Sequence, residues 1–385
     1  MEKIIKLTMT DGYVNDWGTW EAVRELAQNA MDHADKTNTK MKLGYNRGAK
    51  QFIVSSKDIK LDVKTLLLGS STKNTDKTMR GQFGEGYKLA ILALLRLGNT
   101  VVIHNADEIW IPSFEYDEDF GADLLTITIN KKKTVNKDLT FVIGKMNIEQ
   151  ANEISGRLII DNNKVAGYNS PYGKVLTETR FLNQIFVGGI YVCTPNIKLE
   201  HGYNFKPIYV TLGRDRGLID SFDVQWLASR CWANIDKDDK LKEAESEAVK
   251  LIISGSHSMS YYGSSSYNSR ITEQVAEQFY SDKPVTAVPV CSQKEFDKTL
   301  REYENAVPII TEPVVVNTVK NSNRFMEAKK LLKERLHLTP NQVITNILNQ
   351  YRGELGKTFD KLSAELIPIS LRWKVDDAFE EPTNE

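Results

Sequence analysis

"WEAVRELAQNAMDHA", residues 20–34, carries two stripes of opposite character. At ~100° per residue, Glu25, Asn29 and Asp32 fall at i, i+4 and i+7 and share one narrow side of a helix. Trp20, Val23, Ala27, Ala30, Met31 and Ala34 take the opposite side. On this segment alone, an amphipathic helix with a solvated polar side accounts for the pattern. The functional alternative is a site above the polar stripe, because a carboxylate can orient or deprotonate a water and an amide oxygen can ligate a hard divalent cation.

Working outward, "KIIKLTM" alternates like a short strand before the helix, and "KMKLGYNRGAKQFIVSS" after it reads as two strands around a Gly turn. "TVVIHN", "EIWIPSFEY", "LLTITIN" and "LTFVIGKM" are four β-rich runs separated by polar turns. Residues 1–147 are therefore expected to form an α+β domain with largely antiparallel strands covered by helices. Residues 148–254 read as a second α/β domain, with a helix, strands in "QIFVGGIYVC" and "KPIYVTL", and helices in "SFDVQWLASRCWANI" and "LKEAESEAVKLIIS". A Ser/Gly/Tyr-rich loop plus helix (255–280), a small βαβ unit (281–322) and a helical C-terminal region with an acidic tail (323–385) complete the expected order. "VPIITEPVVV" is read as the second strand of the βαβ unit, and Thr339-Pro340 as a helix start.

Composition limits the functions available. The 385 residues are 41% hydrophobic and 26% charged, the profile of a globular protein able to bury a sizeable core. Lys and Arg total 50 against 51 Asp and Glu, so no global basic field points to nucleic acid as the main partner. Cys193, Cys231 and Cys291 are far apart and lack ligand spacing, which suits a reducing compartment. No apolar run approaches the ~18 residues of a membrane span, and a cytoplasmic location is expected.

A second stretch bears on the first helix. "RGQFGEGYKLAILALL", residues 80–95, places Gly81, Gly84 and Gly86 and then Lys88 directly before a long apolar run. Bare amides at a helix N-terminus can hold an anion, and glycines permit close backbone approach while Lys88 and Arg80 supply charge. The alternative is a tight turn feeding a core helix. The spacing G-x-x-G-x-G is neither a Walker A nor a dinucleotide fingerprint.

Taken together, "ELAQNAMD" and the later "LLLGSSTKNTDKTMRGQFGEGYKLA" resemble the E-x-x-x-N-x-x-D box and the glycine-rich lid box of the GHKL (Bergerat-fold) ATPase superfamily. That family includes DNA gyrase, the MutL repair proteins, histidine kinases and the large heat-shock chaperones. Leu139-Thr140 in "KDLTFVIG" is similar to the strand threonine that members place beside adenine. The resemblance covers residues 1–147 and implies ATP and Mg²⁺ as ligands. It implies that Glu25 positions the attacking water, Asn29 ligates Mg²⁺ and Asp32 supports the nucleotide site. It further implies that the loop Gly81, Gln82, Phe83, Gly84, Glu85, Gly86 wraps the phosphates with Lys88 and Arg80, and that residues 69–80, with Lys73, form a lid. More loosely, "FVGGIYVC", "GYNFKPIYV" and "LGRDRGLID" resemble the rIIA-like proteins of bacteriophages, which pair a GHKL domain with a further α/β region. By analogy Arg214 or Arg216 is the basic residue that a second domain offers the γ-phosphate; the alternative is a surface turn.

One departure is visible. The family carries D-x-G-x-G between its two boxes, and here "VSSKDIKLDVKTLLLG" places Ser56 at the Asp position, with Asp58 and Lys60 where glycines are expected. Either Asp58 replaces the carboxylate after a two-residue shift, or Ser56 bonds through water, or adenine recognition is degraded. Losing a charge-assisted hydrogen bond in a buried site costs roughly 1.5–3 kcal/mol, about one to two decades of affinity. The leading expectation is a slow Mg²⁺-dependent ATPase whose nucleotide state controls domain arrangement, through dimerisation and a protein partner, in the host cytoplasm if the protein is viral. A catalytically degraded interaction protein and a MutL- or gyrase-like DNA transaction factor are the alternatives.

Overall fold

The computed structural model describes residues 2–67, 86–133, 136–211, 220–259, 267–334 and 340–370. Strand β1 (Lys3–Thr10) buries Leu7 and Met9, and helix α1 (Thr19–Thr37) follows it. The Glu21 carboxylate accepts a 2.9 Å bond from the Gly18 N–H at the start of α1, and Asn38 closes the helix in the left-handed region at φ 52°. Strands β2 (Lys42–Asn46) and β3 (Gln51–Ser56) form the expected hairpin.

After a 3-10 turn at Val63–Leu66 come α2 (Gly86–Arg96), β4 (Thr100–Asn105), β5 (Glu108–Asp117), β6 (Ala122–Lys131) and β7 (Leu139–Gly144). The seven strands lie in the order β1-β6-β5-β4-β7-β3-β2, antiparallel throughout. Helices α1 and α2 pack against each other and over one face of this sheet, where Phe52, Val54, Leu139, Phe141 and Ile143 join Val23, Leu26, Ile91 and Leu92 in one core. Each such aliphatic side chain contributes about 1.5–3 kcal/mol when fully buried. The opposite face, with Ile53, Ser55, Thr140 and Val142, is only half-buried, so the strands alternate between two environments.

The chain continues through α3 (Ile148–Gly156) into β8 (Gly167–Ser170), β9 (Gly173–Leu176), β10 (Ile185–Val187), β11 (Ile190–Cys193) and β12 (Gly202–Phe205). These form a five-stranded sheet ordered β11-β10-β12-β9-β8, followed by α4 (Ser221–Ala233) and α5 (Leu241–Ile253). The expected strand in "KPIYVTL" is corrected, since Pro207–Tyr209 is a 3-10 turn in which Pro207 takes the first turn, where no amide bond is lost. The described residues on either side of the Ser/Gly/Tyr-rich stretch pack into the unit. Met259 and Tyr267 are buried, the Tyr267 hydroxyl donates to the Met259 carbonyl at 3.0 Å, and α6 (Ser269–Tyr280) follows.

Two compact units result, Met1–Ala276 with Pro313–Ser322, and Glu277–Glu312 with Asn323–Glu385. The expected boundary at 147/148 does not separate compact units. Leu158 bridges Ile190, the Arg157 guanidinium sits 5.3 Å from the Trp20 ring centre, and a Cβ at Gly189 would strike the Ile159 carbonyl and Met31. In the second unit β13 (Ala287–Val290), α7 (Gln293–Glu302) and β14 (Val307–Ile310) form the expected parallel βαβ arrangement. Its expected end at 322 is corrected: "PVVV" is not strand but the start of α8 (Pro313–Lys320), which belongs to the first unit and buries Val314, Val315, Val316 and Val319. Helices α9 (Asn323–Lys330), α10 (Pro340–Gln350), α11 (Arg352–Leu355) and α12 (Thr358–Ser370) follow. No helix among the described residues is long and apolar enough to cross a membrane.

Candidate functional site

The polar stripe of α1 and the start of α2 meet. Gly86 opens α2 and lies against Glu25 so closely that a Cβ there would stand 2.5 Å from Glu25 Oε2. The other carboxylate oxygen, Oε1, accepts from Nη2 of the buried Arg24 at 3.3 Å. One and two turns further along α1, Asn29 is half-buried and Asp32 is buried. His33 Nε2 stands 2.9 Å from the Lys57 carbonyl and fixes this end of the helix to the exit of β3. The start of α2, where the helix dipole places partial positive charge, therefore lies beside a carboxylate-and-amide stripe.

Asn105 and Thr65 hold the surrounding backbone, and neither stands out in the sequence. The fully buried Asn105 accepts from the Leu61 N–H at 2.8 Å and donates to the Leu61 carbonyl at 3.0 Å, as a strand neighbour would. Thr65 Oγ1 and the Tyr87 hydroxyl are 2.8 Å apart, and Lys88 Nζ donates to the Leu67 carbonyl at 2.6 Å. The backbone at 65–67 is thereby tied to the first turn of α2. Burial pushes the Tyr87 hydroxyl up to about 12, the Thr65 bond opposing it, so the phenol stays protonated at neutral pH. Lys60 bonds Asp107 at 2.5 Å and holds that carboxyl below its ordinary range.

The structure places four of the expected residues as follows. Thr140 pairs with Ser55, their hydroxyl oxygens 2.8 Å apart, on the half-buried face away from α1 and α2. Register explains this placement: Ser56 faces Leu139 across the ladder, so the helix-facing pair at this position is Ser56 and Leu139, and Thr140 turns with Ser55 to the other face. Ser56 is buried on the helix-facing side, whereas Asp58 lies beyond the strand end, exposed and left-handed at φ 51°. Lys88 is fully buried with its ammonium on the Leu67 carbonyl. Lys73, Arg80, Gly81, Gln82, Phe83, Gly84, Glu85, Arg214 and Arg216 lie outside the described residues.

The donor set suits one kind of metal binding. Among the described residues no group of three or more His, Cys, Asp and Glu could hold a metal ion. Mg²⁺ differs from metals that need such cages, because it keeps waters and binds through one or two side chains plus phosphate oxygens. An amide oxygen at Asn29 beside the Glu25 carboxylate fits that habit. Glu25 and Asn29 would thus fit a phosphate-bound Mg²⁺, whereas Ser56 and Leu139 do not reproduce the carboxylate-and-threonine pair that the GHKL resemblance implies for adenine. No family model matches this chain, and no curated protein matches it.

Proposed function

We propose that the chain binds Mg²⁺·ATP over the polar stripe of α1 and hydrolyses it slowly, as the GHKL resemblance implies. The observation that carries the reading is the contact between Gly86 and the Glu25 carboxylate, which joins the two sequence boxes at one point. In phosphoryl transfer the protein chiefly positions the nucleophile and offsets charge on the phosphate oxygens. Glu25, held by Arg24, orients and polarises the attacking water. Asn29 is the side chain that would share Mg²⁺ with the phosphates, and Asp32 orders polar groups one turn on. The start of α2 offers backbone amides and the helix dipole to the anion. A protein partner that senses nucleotide state, and a homodimer, belong to the same proposal.

Calorimetric titration of Mg²⁺·ATP into the wild-type protein and Asn29→Ala tests it. Saturable binding that is lost in the variant supports the reading, and no binding to folded wild-type protein defeats it. Glu25→Gln is expected to bind ATP and not hydrolyse it; turnover at the wild-type rate would remove Glu25 from the chemistry.

The Ser55–Thr140 pair favours a second reading, an interaction protein that keeps the scaffold and has lost nucleotide. It predicts no ATP-dependent thermal shift.

A further inference from the structure

Away from the α1 polar stripe, a cavity of about 820 Å³ opens between the C-terminal end of α1 and the five-stranded sheet. Register puts Asn169, Lys174 and Asn204 side by side across β8, β9 and β12, so the three side chains share one face. Asn169 and Asn204 line the cavity, whereas Lys174, between them in the ladder and only 4% exposed, does not line it and instead holds the 162–165 turn of the wall. The Lys174 ammonium donates to two neutral acceptors, the Asn162 carbonyl at 2.7 Å and the Val165 carbonyl at 2.6 Å. An ammonium has three donors, and a buried charge is ordinarily paired with an opposite one. Here its contacts are carbonyls, and burial first, then Lys240, lowers its proton affinity against Glu178 and Asp161.

The rest of the wall adds both signs. Lys40, Lys164 and Lys206 line the cavity, as do Asp35, Asp161 and Asp236. Asn204 is already positioned, its Oδ1 accepting from the Gly189 N–H at 2.7 Å and its Nδ2 donating to Asn162 Oδ1 at 3.1 Å. A ligand suited to this wall carries an anionic group toward the lysines and hydroxyls toward the carboxylates and carboxamides. The volume falls within the ~300–1,000 Å³ of small-molecule sites.

We infer that this cavity binds a phosphorylated polyol, a sugar phosphate in chemical class, with its phosphate on the Lys206 side of the Asn169–Lys174–Asn204 row. The inference does not rest on ATP binding at α1. Glucose 6-phosphate, inorganic phosphate and glucose are titrated calorimetrically into the full chain, into Asn29→Ala and into Lys206→Glu. Saturable binding of glucose 6-phosphate, at least tenfold tighter than either fragment, unchanged in Asn29→Ala and weakened at least tenfold in Lys206→Glu, is the expected result. Lys206 is exposed, so Lys206→Glu is expected to fold, and circular dichroism checks that it does. No saturable binding, equal affinity in wild type and Lys206→Glu, or loss in Asn29→Ala overturns the inference, the last by assigning the anion to the α1 stripe.

Discussion

Gly86 Cα packs on the Glu25 carboxylate, leaving no room for a Cβ between the start of α2 and Oε2. Gly86→Ala therefore shifts the carboxylate without deleting it. Gly86 is the first residue of α2, where the ~0.8–1 kcal/mol interior preference for alanine over glycine is an upper limit, and the obstructed atom is the end of a flexible side chain, so the variant is expected to fold with stability within about 1 kcal/mol of wild type. Its Mg²⁺·ATP turnover is expected to fall at least tenfold. Wild-type turnover in a folded Gly86→Ala protein would show that the position of Glu25 is not critical.

Thr140 gives the opposite forecast. Its hydroxyl is engaged with Ser55 on the face of the sheet away from α1, so Thr140→Val is expected to leave Mg²⁺·ATP affinity within about twofold while costing about 1 kcal/mol of stability for the lost hydrogen bond. Calorimetry and urea unfolding measure the two quantities. A tenfold loss of affinity would place nucleotide on the other side of the sheet.

Asn105 is forecast to matter for stability far more than its sequence context suggests. Asn105→Ala leaves both the N–H and the carbonyl of Leu61 without a partner, and each such loss costs about 1–3 kcal/mol. A drop of about 2–4 kcal/mol in urea unfolding is expected, and Asn105→Asp should not recover it, because a buried carboxylate would then face the Leu61 carbonyl and the Glu108 carboxylate to which the Asn105 amide now donates.

Acid should weaken the fold through His201. Burial disfavours its charged form and lowers its pKa from 6.5, with Glu247 and Glu200 opposing. The unfolded chain then takes the proton first, so this stability is fully present above about pH 6.5 and is lost as pH falls through the folded-state value. His104, lowered by burial and Lys132, titrates in the same direction. In His201→Gln the decline in urea midpoint between about pH 6.5 and 5 should be shallower than in wild type, retaining the His104 share. An unchanged slope would mean that His201 is solvated when protonated.

The first sheet was legible because its strands are long enough to alternate: "TVVIHN" and "LTFVIG" each show their two faces within six residues. The second sheet was largely hidden. "GYNS", "GKVL" and "GYNF" are four residues each and open on glycine, too short for a period, and their pairing is decided by close backbone approach at Gly167 and Gly173. "PVVV" misled because β-branched residues favour strands, whereas proline at the first helical turn and burial of the valines settled a helix. At the site, the spacing of Glu25, Asn29 and Asp32 needs only helical geometry to be read. The face taken by Thr140 depends on register with a distant strand, and no local pattern carries that information.

Helix α8 returns to the first unit after the chain has left it at Ala276. Its valines are buried there, with α8 packed beside α5, so the surface they cover on the rest of that unit stays bare until translation has passed Ser322. At ~5–20 residues per second that interval lasts on the order of seconds, during which the nascent polypeptide offers chaperones an apolar docking strip. A message truncated shortly after codon 276 would yield a product that never closes it, and such a product should be recovered in inclusion bodies.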